Sequence, residues 1–295
     1  MKRLDVDSPR QHALNADGYD WAVWEWPGEG RPLLFMHATG FHAQCWRRVI
    51  EHFPGRRVIA VDAPNHGRSE RQPTPFSWPR FASGLVSVIQ QLQLQDVTGV
   101  GHSMGAHVMT LACGLNPAAF AGLVLVDPVI LEPQFAATRR GRMAPEDNPV
   151  ARRRNHWASP EQMFDAFKDR KPFCDWDPAV LRDYCNGGLR HRADGDGFEL
   201  ACSPLDEANV YAVSAENDVY DAIKQIDQPV QVIRGRLWDH SAPPGDFSNS
   251  PTWPELAAQF KRGIDDHLAE RSHFFPMETP EWLARRIAGF EEAHL

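Results

Sequence analysis

The sequence predicts an α/β protein: a parallel sheet with helices on both faces, interrupted once by a long insertion. Three observations carry this. Short apolar runs at 33–36, 58–61 and 122–126 have the continuous hydrophobicity of strands buried on both faces. Segments with helical spacing lie between and after them. In 45–53, Trp46, Val49, Ile50 and Phe53 share one face, and 81–94 repeats the pattern. Strands and helices that alternate in this way fold as parallel crossovers. The alternation then stops at Pro128 and resumes at Val230. The polar stretch between them, about a hundred residues long, is far longer than a plain connection.

Taken in order, residues 19–26 alternate enough for an edge strand, ending in a turn at Pro27-Gly28-Glu29-Gly30. The apolar runs at 33–36 and 58–61 are the next strands, with the helix 45–53 between them. Residues 96–100 are a short buried strand running into a helix that begins near Met104. Residues 122–126 form another strand, closed by Asp127-Pro128. After the insertion, 230–234 is a strand closing on Gly235, 254–260 a short helix, 263–268 the last strand and 280–290 an amphipathic helix. The expected division is therefore a core of 1–128 and 229–295, with 129–228 as a helical segment lacking a convincing buried strand. Inserted segments at the carboxyl edge of a parallel sheet lie over its crevice, so this one is expected to shape a pocket there.

Composition narrows the classes of function. A formal net charge of -8 leaves no basic excess to neutralise phosphates, which argues against nucleic acid as a partner. The five cysteines are scattered with no Cys-x-x-Cys, and no acidic or histidine cluster has ligand spacing, so no metal site and no disulfide framework are expected. No glycine-rich phosphate loop is present, and no cofactor is implied. The first ten residues lack the apolar centre of a signal peptide, and no run approaches the roughly 18 apolar residues of a membrane span. The expectation is a cytoplasmic protein with a small-molecule partner and no membrane association.

The most informative stretch is Gly101-His102-Ser103-Met104-Gly105. A serine at the tip of a strand-to-helix turn needs small residues two before and two after it, because the backbones cross closely there. The turn lifts the hydroxyl clear of the sheet and places the next amide at a helix N-terminus, where developing negative charge is stabilised. Serine alone is a poor nucleophile and needs a base, an acid to orient that base and donors for an oxyanion. His273 follows the final strand and precedes the final helix, the position expected of the base. The acid should lie between serine and histidine in the chain. Asp239, just past the strand 230–234, is the first choice, and Asp127, at the end of an earlier strand, is the alternative. The small residues of His37-Ala38-Thr39-Gly40-Phe41 let the backbone approach a bound carbonyl, so the Thr39 amide joins that of Met104 as an oxyanion donor. Phe41 and Trp238 are the side chains expected to touch substrate. A basic stretch of Arg139, Arg140, Arg142 and Arg152 to Arg154 reads first as a solvated face paired with nearby acids, and second as a means of recognising an acidic substrate.

These motifs, with Asp62-Ala63-Pro64-Asn65-His66-Gly67-Arg68-Ser69 and Ser272-His273-Phe274-Phe275-Pro276-Met277-Glu278, resemble those of the serine-type α/β-hydrolase fold family. The likeness covers nearly everything outside the insertion. It implies a mostly parallel eight-stranded sheet with a helical cap after strand six, and it implies Ser103 as nucleophile, His273 as base and Asp239 as acid. Residues 62–69, with His66 and His102, take supporting roles. The chain departs from the family pattern at Ala38, where glycine is common, and at Ala106, where a second glycine is frequent. The segment between Asp239 and Pro254 is also long. The implied activity is hydrolysis of a carboxylic ester or lactone through an acyl-enzyme. The alternatives are hydrolysis of a C–C bond in a ring-cleavage product and a small-molecule receptor on the same fold.

Overall fold

The computed structural model describes residues 9–73, 76–139, 144–214, 219–237 and 247–295. Eight strands form the main sheet: β1 (Arg10–Ala16), β2 (Tyr19–Trp26), β3 (Glu29–Met36), β4 (Arg56–Val61), β5 (Val97–His102), β6 (Phe120–Val126), β10 (Pro229–Arg234) and β11 (Arg262–His267). Their spatial order is β1-β2-β4-β3-β5-β6-β10-β11. The first two strands run antiparallel, and every pairing from β4 to β11 is parallel. Because side chains alternate along a strand, Leu34, Met36, Ile59 and Val61 pack on one face with the helices Trp78–Gln91 and Met104–Leu115. Leu33, Phe35, Val58 and Ala60 pack on the other with Arg47–Ile50 and Pro280–His294. Each of these buried side chains larger than alanine contributes on the order of 2 kcal/mol, so the sheet is the rigid platform from which the loops at its carboxyl edge project.

Register sets what meets at that edge. Met36 pairs with Gly101, His102 with Val126, Val126 with Ile233, and Arg234 with His267. The residues that follow these strand ends, His37, Ser103, Asp127 and Gly235, therefore emerge close together although the chain reaches them far apart.

Several expectations need correction. Residues 19–26 are not an edge strand, because β1 lies outside them. β1 is largely polar and exposed on one face, which hid it from a hydrophobicity reading. Its signature is Asp17-Gly18, both at positive φ (57° and 83°), a two-residue hairpin turn. β3 begins at Glu29, inside the expected turn. Residues 45–53 hold only a 3-10 turn, Ala43–Trp46, and the single helical turn Arg47–Ile50, while 254–260 is reduced to a 3-10 turn at Ala257–Gln259.

The segment between β6 and β10 also carries strands, namely β7 (His156–Trp157), β8 (Leu189–His191) and β9 (Phe198–Leu200), joined in a small antiparallel sheet. Its helices Pro160–Phe167, Pro178–Gly187 and Pro204–Ala212 each start with proline behind a capping side chain. Ser159, Asp177 and Ser203 accept hydrogen bonds from the Gln162, Ala179 and Asp206 amides respectively. Among the described residues no helix is long and apolar enough to cross a membrane.

Candidate active site

Ser103 joins β5 to the helix Met104–Leu115 with φ 57° and ψ −118°, a conformation that non-glycine residues adopt only when the surroundings impose it. The surroundings here are tight. A Cβ on Gly101 would lie 2.4 Å from the Gly105 oxygen, and one on Gly105 would lie 2.3 Å from the Met36 oxygen. The Ser103 amide donates to the Val126 oxygen at 3.0 Å, tying the turn to the end of β6.

His273 lies between β11 and the short helix Phe275–Glu278. Its Nε2 is 3.0 Å from Ser103 Oγ and its Nδ1 is 2.5 Å from Asp127 Oδ2. These partners assign the tautomer: Nδ1–H donates to the carboxylate and Nε2 accepts from the hydroxyl. All three residues are buried, at 5%, 3% and 0% exposure for Ser103, His273 and Asp127. The other oxygen of Asp127 accepts from the Gly235 amide at 2.7 Å and from Ser250 Oγ at 2.6 Å. The His273 backbone is held as well, its amide donating to the Phe247 oxygen at 3.1 Å and its carbonyl accepting from His102 Nε2 at 2.9 Å. Burial pushes His102 well below the usual histidine range, so it stays neutral in this role.

Asp239 and Trp238, the first-choice acid and a substrate contact in the sequence reading, lie outside the described residues. Asp127, the alternative acid, is the carboxylate brought to His273. The physical reason is register. Val126 is paired on both sides, with β5 and β10, so the residue after it lies level with Ser103.

The loop after β3 is held by two buried imidazoles. His37 Nδ1–H donates to the Ala38 oxygen at 2.8 Å while its Nε2 accepts from the Ala63 amide at 2.9 Å. His66 Nδ1–H donates to the Pro64 oxygen at 2.9 Å while its Nε2 accepts from the Gly40 amide at 3.0 Å. Burial lowers His37 to about 4 and His66 to about 3, so both remain neutral acceptors. Gly40 takes a positive φ of 77° and its amide is occupied by His66. The Thr39 and Met104 amides have no acceptor among the described residues.

Phe41 leaves this loop to pack against Trp176, Tyr184 and Phe274, with ring centroids 5.3–6.0 Å away, and edge-on to His102 at 6.2 Å. The Phe247 ring lies 5.9 Å from that of His273 and 5.4 Å from that of Phe274. One feature escaped the sequence reading. Arg153 is turned inward rather than solvated, with Nη1 2.6 Å from Glu207 Oε2 and Nη2 3.1 Å from the Tyr184 hydroxyl. Glu207 in turn abuts the loop after β3, since a Cβ on Gly40 would lie 2.6 Å from its Oε1. Burial pushes the Glu207 carboxyl up, against the opposing pull of Arg153.

Comparison with known proteins agrees with this architecture. Residues 33–286 match the model of the alpha/beta hydrolase family. A serine hydrolase-like protein of Danio rerio is 26% identical over 287 aligned residues, covering 91% of this chain and 83% of the relative. A non-heme haloperoxidase of Rhodococcus erythropolis is 34% identical over 246 residues, covering 75% of this chain and 79% of the relative. Among solved structures, an E-2-(acetamidomethylene)succinate hydrolase superposes with a TM-score of 0.77 at 17% identity, covering 97% of this chain and 100% of that one.

Proposed function

The chain belongs to the alpha/beta hydrolase family, and from that premise we propose that it is a serine hydrolase acting on a carboxylic ester or lactone of a small to medium organic acid, with 129–228 as a cap over the site. The observation that carries this reading is the buried chain of hydrogen bonds from Ser103 Oγ through His273 to Asp127 at a strained strand-to-helix turn. Asp127 takes the acid role first given to Asp239.

In this reading His273 Nε2 receives the Ser103 proton as Oγ attacks the carbonyl carbon. Asp127 keeps the imidazole in the required tautomer and stabilises the imidazolium that forms. The Met104 and Thr39 amides donate to the oxyanion of the tetrahedral intermediate, and losing one such donor costs on the order of a hundredfold in turnover. Collapse breaks the bond to the leaving alcohol, which departs with the proton from His273. Water then attacks the acyl-enzyme, with His273 as base, and frees the acid and Ser103. Phe41 walls the acyl side, beside the loop that holds the oxyanion.

A p-nitrophenyl ester series from acetate to decanoate, with a small lactone panel, tests this on the wild type and Ser103→Ala. Turnover by the wild type should fall roughly a millionfold in the variant, and a fluorophosphonate should label the wild type alone. An absence of both turnover and labelling would overturn the reading and bring forward the C–C hydrolase and receptor alternatives.

A further inference from the structure

We propose that Arg153, with Tyr184 and Tyr211 beside it, forms an anion-binding end to the substrate pocket, so that the ester or lactone taken here carries a carboxylate remote from the bond that is cleaved. This rests on the serine-hydrolase reading above and names its substrate class.

Arg153 stands apart from the arginines on either side of it. Arg152 and Arg154 are exposed, whereas the Arg153 side chain is only 27% exposed and is committed to Glu207 and Tyr184. A buried guanidinium is costly to desolvate and persists where it is paired or used. Its partners lie against residues near the catalytic group. Its partner Glu207 touches Gly40 in the loop after β3, and the ring of its partner Tyr184 lies 5.3 Å from that of Phe41. Tyr211, one turn after Glu207, lies 6.4 Å from the Phe247 ring, which itself faces His273. Arg153 thus reaches the oxyanion loop through Glu207 and the ring of Phe41 through Tyr184.

The donor inventory favours a carboxylate. A guanidinium has five N–H groups. Glu207 takes one at Nη1 and Tyr184 one at Nη2, which leaves three. Neither Nε of Arg153 nor the Tyr211 hydroxyl has a partner among the described residues. The Tyr184 hydroxyl accepts from Arg153 and keeps its own hydrogen to donate. Charge-assisted bonds from a preorganised, partly desolvated guanidinium are the strong ones.

The test uses p-nitrophenyl monoesters of straight dicarboxylic acids, glutarate to suberate, each paired with its terminal amide. At one or more lengths the wild-type kcat/KM for the acid should exceed that for the amide by about tenfold or more. Arg153→Gln should erase that preference, chiefly through KM, so that acid and amide esters are turned over alike, and Arg153→Lys should restore part of it. A second measurement needs no variant: adipate, and not adipamide, should slow fluorophosphonate labelling of wild-type Ser103. Labelling with neither an acid preference nor protection by adipate overturns the inference and leaves the hydrolase reading standing. No labelling and no turnover of any ester overturns both.

Discussion

Asp62 and Asp127 make an instructive pair. Each follows a parallel strand, each is buried, and each carboxylate is crowded with donors at the same edge of the sheet. Asp62 accepts from the Ala43 amide at 2.6 Å, the Arg68 amide at 2.9 Å and Trp24 Nε1 at 3.1 Å. It sits so close to Gly67 that a Cβ there would fall 2.2 Å from its Cγ. Both of its oxygens are spent on holding loops in shape. Asp127 spends one oxygen in the same way, on Gly235 and Ser250, and points the other at an imidazole whose far nitrogen faces a serine. Residue type, burial and position in the sheet are shared, so what separates a structural acid from a candidate catalytic one is the partner of a single oxygen.

The sharpest way to break this comparison is Asp127→Asn. The amide would present a donor where the Nδ1–H of His273 needs an acceptor, which favours the wrong tautomer. We expect kcat on a responsive ester to fall by roughly ten-thousandfold while the protein stays folded. A loss of less than tenfold in a folded variant would remove Asp127 from the relay. Asp62→Asn should act on stability instead. Losing charge-assisted bonds to two amides and an indole should cost about 2–3 kcal/mol, visible as a lower midpoint in urea, with kcat per folded molecule nearly unchanged. If Asp62→Asn instead matched Asp127→Asn in kcat at full stability, the two acids would not differ in kind.

The imidazoles beside Asp62 sharpen the same contrast through pH. His37 and His66 are lowered to about 4 and about 3 in the folded protein, against an unfolded value near 6.5. The unfolded chain therefore takes up protons first as pH falls. The stabilising contribution is complete above about pH 6.5 and is lost steadily below it, ending near pH 4 for His37 and near pH 3 for His66. Each residue should cost about 1 kcal/mol by pH 5.5. Urea midpoints at pH 7.5 and pH 5.5, before most carboxylates titrate, measure the loss. Equal stability at the two values would mean that these rings are protonated in the fold.

The comparison also explains which parts of the site could be read from the sequence. Ser103, the loop 37–41 and residues 62–69 are built from contacts a few residues apart, so their glycines and histidines carry a local pattern: the crowding at Gly101 and Gly105 is visible as sequence. His273 was legible from its place after the last strand. The acid was harder, because the partners of Asp127 come 108, 123 and 146 residues later and are aligned by register across β5, β6 and β10. The same holds for Arg153 and Glu207, 54 residues apart on segments with no shared periodicity. β1 was missed for a different reason, since a polar edge strand does not show in an apolar pattern and its Asp17-Gly18 turn was the only mark.

The smallest expected effect is the most discriminating. Asp239→Asn should leave kcat and KM close to those of the wild type in the ester assay. His273 has a single Nδ1–H, and Asp127 Oδ2 already accepts it at 2.5 Å, so a second carboxylate has no proton left to hold. Asp239 lies on the stretch between Gly235 and Ser250, and that stretch contributes to the acid by another route, through donors from both its ends to Asp127. Ser250→Ala should therefore slow the enzyme more than Asp239→Asn, because it removes a donor from the carboxylate that orients the base. Were the order reversed, with Asp239→Asn as damaging as Asp127→Asn, the acid would come from the segment after β10, and Asp127 would join Asp62 as a carboxylate that only holds loops together.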